Sequence, residues 1–219
     1  MTKDDVLAAL GTVYDPELDE PITALQFVAS CEVADDGAVS VRLRLPTPQC
    51  APNFAFLMAA DARDAVLAVP GVGAVSVVLE DHYTGAEINA AVGRGETFSD
   101  AFPGETQGEL DALRALFQRK ALVARQAALF SQVADPATAT LGELTGPAAE
   151  RCRELRRALG LDAGDDAPGF VTGDGTPVGA QELQRFRRMA RLTALSLETN
   201  GGMCRDLLRV RYQEEEVAA

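Results

Sequence analysis

Val39-Ser40-Val41-Arg42-Leu43-Arg44-Leu45-Pro46-Thr47-Pro48-Gln49-Cys50-Ala51-Pro52-Asn53 decides the fold of the first part of the chain. From Val39 to Leu45 apolar and polar residues alternate, the period of a strand with one buried and one wet face. Pro48 and Pro52 then stiffen a turn. Pro52 suits the first turn of a helix, where its missing N–H would have had no partner. Asn53 to Val69 reads as that helix, with Phe54, Met58, Ala62, Ala65 and Val69 at helical spacing. Cys50 therefore falls where a strand hands over to a helix N-terminus. Backbone N–H groups there favour the thiolate, the form that attacks or binds metal. The other reading of Cys50 is a small packed hydrophobe, the usual state of an unpaired cysteine.

Working outward, Phe27–Val33 and Val39–Leu45 form a hairpin around Ala34-Asp35-Asp36-Gly37, with Asp-Gly supplying the turn. Lys3 to Val13 reads as an opening helix. Pro70-Gly71 stops the helix that follows Cys50. Ala74 to Leu79 is the most apolar strand and is expected to be central or well covered. These elements give an α/β two-layer N-terminal domain, a small mixed three-stranded sheet with helices. Thr84 to Val92 reads as a short helix, with Thr84 as cap and Glu87 three residues on.

Residues 93–108, rich in glycine, read as a linker that Phe98 and Phe102 pin to a surface. From Glu109 the pattern is helical, an all-α C-terminal appendage. Leu110, Leu113, Phe117, Ala121, Ala124 and Ala128 form a stripe on a helix expected to stop before Asp135-Pro136. A second helix covers Pro147 to Leu159 and ends at Gly160. A polar loop follows over Gly164 to Pro177. A third helix covers Ala180 to Thr199 and is expected to end at Asn200-Gly201-Gly202. A short helix, Met203 to Val210, closes the pattern. The expected division is a domain over 1–92, a linker over 93–108, a helical domain over 109–212 and an acidic tail over 213–219.

Composition narrows the function. The chain has 219 residues and is 47% hydrophobic, enough for a sizeable core. Residues 1–107 hold five basic and seventeen acidic residues, a net charge of −12, so this part repels nucleic acid. It suits a partner with basic surface, or serves solubility. Arg151, Arg153, Arg156 and Arg157 on the second helix, and Arg185, Arg187, Arg188 and Arg191 on the third, are expected to be solvated or paired with acids. They could equally meet the acidic front half of the same or a second chain. The four cysteines, Cys31, Cys50, Cys152 and Cys204, contain no C-x-x-C pair. That spacing supports neither a disulfide framework nor an ordinary single-chain zinc or iron–sulfur site. With no apolar run long enough for a membrane span and an acidic start lacking a secretory core, the cytoplasm is the expected address.

The order of short motifs over about the first ninety residues resembles the metal–sulfur (iron–sulfur) cluster assembly factor family, whose members resemble the SufT and PaaD proteins. The motifs are Tyr14-Asp15-Pro16-Glu17, the hairpin, Thr47-Pro48-Gln49-Cys50, and Val69-Pro70-Gly71-Val72 before a strand. One departure is Leu25-Gln26-Phe27, where family members usually have glycine after the leucine. The resemblance implies that Asp15 and Glu17 lie near the cysteine loop, and that Thr47 hydrogen-bonds within it and positions Cys50. It also implies client metalloproteins such as oxygenase or reductase components.

Cys50, Thr47, Asp15 and Glu17 are thus the candidate site, with Cys50 as transient ligand to iron or an iron–sulfur cluster. His82 and Cys204 are candidate further ligands. One thiolate cannot complete a cluster, which takes about four protein ligands. A homodimer, a client or a small thiol must supply the rest, and shared ligation permits release. Each residue has another reading. Asp15-Pro16-Glu17 could be a turn with solvated acids, and His82 a surface residue. Cys204, at an expected helix start, could be simple packing, as is expected of Cys31 and Cys152. Cys50 with Asp81-His82 could form a cysteine–histidine hydrolase pair. The whole could be an interaction module that holds an apo-client without metal.

Overall fold

The computed structural model describes residues 1–104 and 107–217. The chain divides into two compact units. Residues 1–111, together with those from 200 onward, form the first; residues 112–199 form the second.

The first unit opens with α1 (Lys3–Leu10), whose Thr2 and Asp5 make a reciprocal capping box. β1 (Tyr14–Asp15) and β2 (Glu20–Pro21) form a small antiparallel ladder. β3 (Val28–Val33) pairs antiparallel with β4 (Ala38–Arg44), which pairs parallel with β5 (Ala74–Glu80). The three-stranded sheet is therefore mixed, as expected, in the order β3-β4-β5. β4 takes the centre, and β5 stands at the edge of this ladder. The apolar character of β5 comes from burial at Val77 and Leu79, while Ala74 and Ser76 are exposed.

α2 (Pro52–Leu67) supplies the crossover between the parallel strands. Its buried residues are Ala55 to Ala59, Ala62 and Val66, so its first turns are covered on every side instead of along one stripe. Phe56, Leu57 and Met58 each contribute about 1.5–3 kcal/mol by leaving water. α3 (Gly85–Arg94) and the short α4 (Phe98–Ala101) follow. Phe98 is buried and meets Phe56 edge-on, with ring centroids 5.4 Å apart. The Thr84 cap did not form as expected: no side-chain cap bond is made, because its hydroxyl turns to His82.

α5 (Gln107–Gln126) ends well before Asp135-Pro136. Its last turn tightens into i→i−3 bonds at Ala127 and Leu129. The Gln126 side chain is buried, exchanging hydrogen bonds with the Val171 backbone. In the second unit α6 (Pro147–Ala158) ends as expected, with Gly160 at φ +68°. Arg156 departs from the expected solvated face. It is 1% exposed and donates to the carbonyls of Pro168 and Gly169 at 2.9 Å. A buried loop needs donors for its carbonyls, and a guanidinium supplies several at once.

The main correction is the last helix. α7 runs unbroken from Leu183 to Val217, straight through Asn200-Gly201-Gly202. The expected stop at 200–202 and the separate short helix do not exist. Gly201 is buried, and a Cβ there would meet the Glu20 carboxylate at 2.6 Å. Close approach, and not chain termination, is what this glycine serves. The acidic tail expected over 213–219 lies outside the residues whose side chains are described.

Candidate functional site

β4 delivers the chain to the Cys50 turn, and α2 carries it away. Leu45 and Pro46 are buried, Gln49 is exposed, and Thr47, Pro48 and Cys50 are half-buried. The Cys50 N–H donates to the Thr47 carbonyl at 3.4 Å, and Thr47 Oγ1 lies 3.6 Å from Cys50 Sγ. A hydroxyl at that distance can donate to a thiolate and so orient the sulfur. α2 then begins at Pro52 with no side-chain cap, which leaves its N-terminal turn to the Cys50 loop.

The loop after β5 clasps this turn. The Tyr83 N–H donates to the Pro48 carbonyl at 3.1 Å, and His82 Nε2 lies 2.7 Å from the Cys50 carbonyl oxygen. A carbonyl only accepts, so these contacts assign the proton to Nε2. Nδ1 then accepts from the Thr84 N–H at 3.3 Å, with the Thr84 hydroxyl 3.1 Å away. The hydrolase pairing needs an imidazole nitrogen on the sulfur, and His82 gives Nε2 to the Cys50 backbone instead. His82 acts here as a positioning residue.

Asp15 is 7% exposed. Its Oδ1 accepts from the Glu17 and Leu18 N–H groups, both at 2.9 Å, and so builds the turn between β1 and β2. Burial pushes the Asp15 carboxyl up from 3.8 to about 6. The two N–H bonds oppose the rise, and the charges of Glu17 and Glu20 add to it. Glu17 is exposed.

Cys204 arrives from the other end of the chain. In the first unit, α7 is fixed by Arg205, which pairs with Glu20. Further along, Arg211 donates to the carbonyls of Leu45 at 3.2 Å and Asp81 at 3.1 Å. The Tyr212 hydroxyl meets Asp81 Oδ2 at 3.2 Å, and the Arg44 guanidinium lies 4.5 Å above the Tyr212 ring. Leu208 and Tyr212 join the core. Cys204 and Cys50 are both half-buried and packed against that core. Burial lifts the Cys204 thiol to about 11, and Asp15, Cys50 and Glu17 add to the rise through their charge. Cys50, Asp15, Glu17 and Cys204 thus share one neighbourhood, while Cys31 and Cys152 are buried elsewhere as packing. Among the described residues, no group of three or more His, Cys, Asp and Glu side chains is arranged to hold a metal ion.

Sequence reading missed Glu20, Arg205, Arg211 and Tyr212, and gave Asp81 only as the neighbour of His82. One signal was available: Leu197, Gly201, Cys204, Leu208 and Tyr212 continue a single helical stripe through the glycines.

Residues 3–77 match the family described as iron-sulfur cluster assembly protein. An uncharacterized protein of Methanocaldococcus jannaschii is 38% identical over 89 residues, 41% of this chain and 92% of that protein. An Fe-S protein maturation auxiliary factor of Porphyromonas gingivalis is 36% identical over 78 residues, 36% of this chain and 72% of that protein. An iron-sulfur cluster carrier protein of Mycobacterium tuberculosis is 41% identical over 75 residues, 34% of this chain but 19% of the carrier. No solved structure matches the chain. The chain belongs to the iron–sulfur cluster assembly protein family. Among the described residues, no helix is long and apolar enough to cross a membrane.

Proposed function

We propose that this protein carries iron or an iron–sulfur cluster as cargo on Cys50 and passes it to a client metalloprotein. The names of its relatives, a maturation auxiliary factor and a cluster carrier, support cargo handling over turnover of a metabolite. The observation that carries the reading is the Cys50 turn itself. The sulfur of half-buried Cys50, 3.6 Å from the Thr47 hydroxyl, sits in a loop that His82 and Tyr83 hold from outside. Cys50 packs against the core on one side but is not sealed within it.

The chemistry follows from what is missing as much as from what is present. Without a closed set of three ligands among the described residues, the protein shares its cargo with another donor. Cluster iron prefers thiolates, so the remaining ligands come from a second copy, a small thiol or the client. When the client's cysteines arrive they replace the weaker shared ligands, and the cargo leaves. Thr47 orients the sulfur, and Asp15 shapes the adjacent β1–β2 turn. In this reading the module over 1–92 presents Cys50 to the cargo, and much of the helical part from 109 serves recognition. An oxygenase or reductase component as client rests on the family resemblance alone.

Anaerobic reconstitution with ferrous iron and sulfide tests the reading by visible absorption. The wild type should develop sulfide-to-iron bands, and Cys50→Ser should lose them while folding normally. Equal bands in both proteins would remove Cys50 from the ligand role.

A further inference from the structure

Cys204 lies far outside the part of the chain that matches the family, yet the fold returns it to the Cys50 neighbourhood. α7 is anchored on both sides of it. Before and after it, Gly201 and Arg205 meet Glu20 of β2. Two turns further on, Arg211 grips the carbonyl of Leu45, where the Cys50 loop begins. Gly201, Cys204, Leu208 and Arg211 repeat at three and four residues, which keeps them on one helix face. Cys204 thus bridges the span between β2 and the Cys50 loop, and Asp15 of β1 pairs with Glu20 of β2. Cys204 itself is half-buried, not sealed.

We propose that Cys204 is a second thiolate ligand for the cargo held at Cys50, so that one chain offers a soft metal ion, or one iron of a cluster, a pair of sulfurs. This rests on the carrier reading above and deepens it. On binding, two S–H bonds give way to two S–metal bonds and two protons leave. A [2Fe–2S] cluster takes four cysteines, two on each iron. A dithiol pair therefore satisfies one iron and leaves the other facing outward for a receiving protein. The carboxylates of Asp15 and Glu17 add negative charge around the pair, which a cation balances. They do not close the ligand set, so the two sulfurs are this chain's share.

Cadmium(II), a thiophilic probe, tests this on the full, reduced chain without oxygen. The readout is the sulfur-to-cadmium charge-transfer band, which grows with the number of thiolates bound. Cys204→Ser and Cys50→Ser should each give about half the wild-type band. Each should also bind about tenfold more weakly, or worse. Cys204→Ala, smaller and apolar, suits the half-buried position should the serine variant melt early. If both Cys204 variants fold and keep the wild-type band and affinity, the second-ligand proposal is overturned. With Cys50→Ser still losing the band, the carrier reading would stand. An undiminished band in Cys50→Ser would overturn both.

Discussion

Asp15 carries a buried carboxyl group. Its carboxyl titrates at about 6 in the folded protein against an ordinary 3.8, chiefly because it is buried. The folded state therefore prefers the protonated form. That contribution is fully present below pH 3.8 and is lost as pH rises through about 6. Over about two units at 1.36 kcal/mol each, the loss amounts to about 3 kcal/mol. Asp15→Asn keeps an oxygen for the Glu17 and Leu18 N–H groups and has no charge to bury. Urea melts from pH 4 to pH 8 should show the wild type losing stability relative to the variant between pH 4 and pH 6, then a constant gap. A gap that does not change with pH would mean Asp15 titrates normally. Gln26 is a second residue-scale case. It stands at φ +63°, a conformation that favours glycine, and its side chain is exposed. Left-handed backbone costs a non-glycine residue about 1–2 kcal/mol, partly offset by the greater freedom of glycine when unfolded. Gln26→Gly should raise stability by about 0.5–1 kcal/mol, read as a higher urea midpoint with an unchanged slope. The departure at Gln26 was visible in the sequence; that the backbone there is left-handed was not. In the same way Cys50 was legible because strand alternation and two prolines are local signals. The role of His82 was not, because its partner is a carbonyl, and backbone atoms carry no sequence signature.

At the scale of elements, the sheet and α2 were readable because period-two and helical spacing encode which side is wet. The edge position of β5 was not, since pairing order depends on which strands meet, and apolar content cannot tell a central strand from a covered edge. α7 shows two rules in competition. Asn200-Gly201-Gly202 reads locally as a helix end, but packing on both sides holds the helix together through it. The two glycines separate these effects. Around Gly202 nothing lies within 4 Å of an added Cβ, whereas at Gly201 the Glu20 carboxylate lies 2.6 Å away. Glycine costs a helix about 1 kcal/mol relative to alanine. Gly202→Ala should therefore raise stability by about 0.5–1 kcal/mol in thermal or urea melts. Gly201→Ala should fall about 1 kcal/mol or more below it, because the methyl displaces Glu20 from Arg205. Equal gains at both positions would show that the Gly201 contact is immaterial and that α7 could part from β2 at no cost.

At the scale of the whole molecule, charge follows the division into units. The first unit holds eight basic and twenty-three acidic residues, a net charge of −15; the second holds twelve and ten, a net +2. Sequence reading found an acidic front half. It could not assign the last twenty residues to that half, because only the fold brings them there. The Cys50 neighbourhood thus lies entirely on the strongly negative unit, and a negative surface draws divalent cations and raises their arrival rate. Exposed charges lose their reach once salt shortens the screening length to about 10 Å at 0.1 M. Under the carrier reading, the rate at which ferrous iron or cadmium reaches the thiols should fall several-fold between about 0.01 M and 0.1 M monovalent salt. Alkylation of Cys50 by an uncharged thiol reagent should not fall with it, which separates loss of attraction from closure of the loop. Stopped-flow absorption reads the first rate, and peptide mass spectrometry the second. A metal-binding rate that ignores salt would show that the acidic surface serves solubility alone; a parallel fall in alkylation would show that salt closes the Cys50 turn.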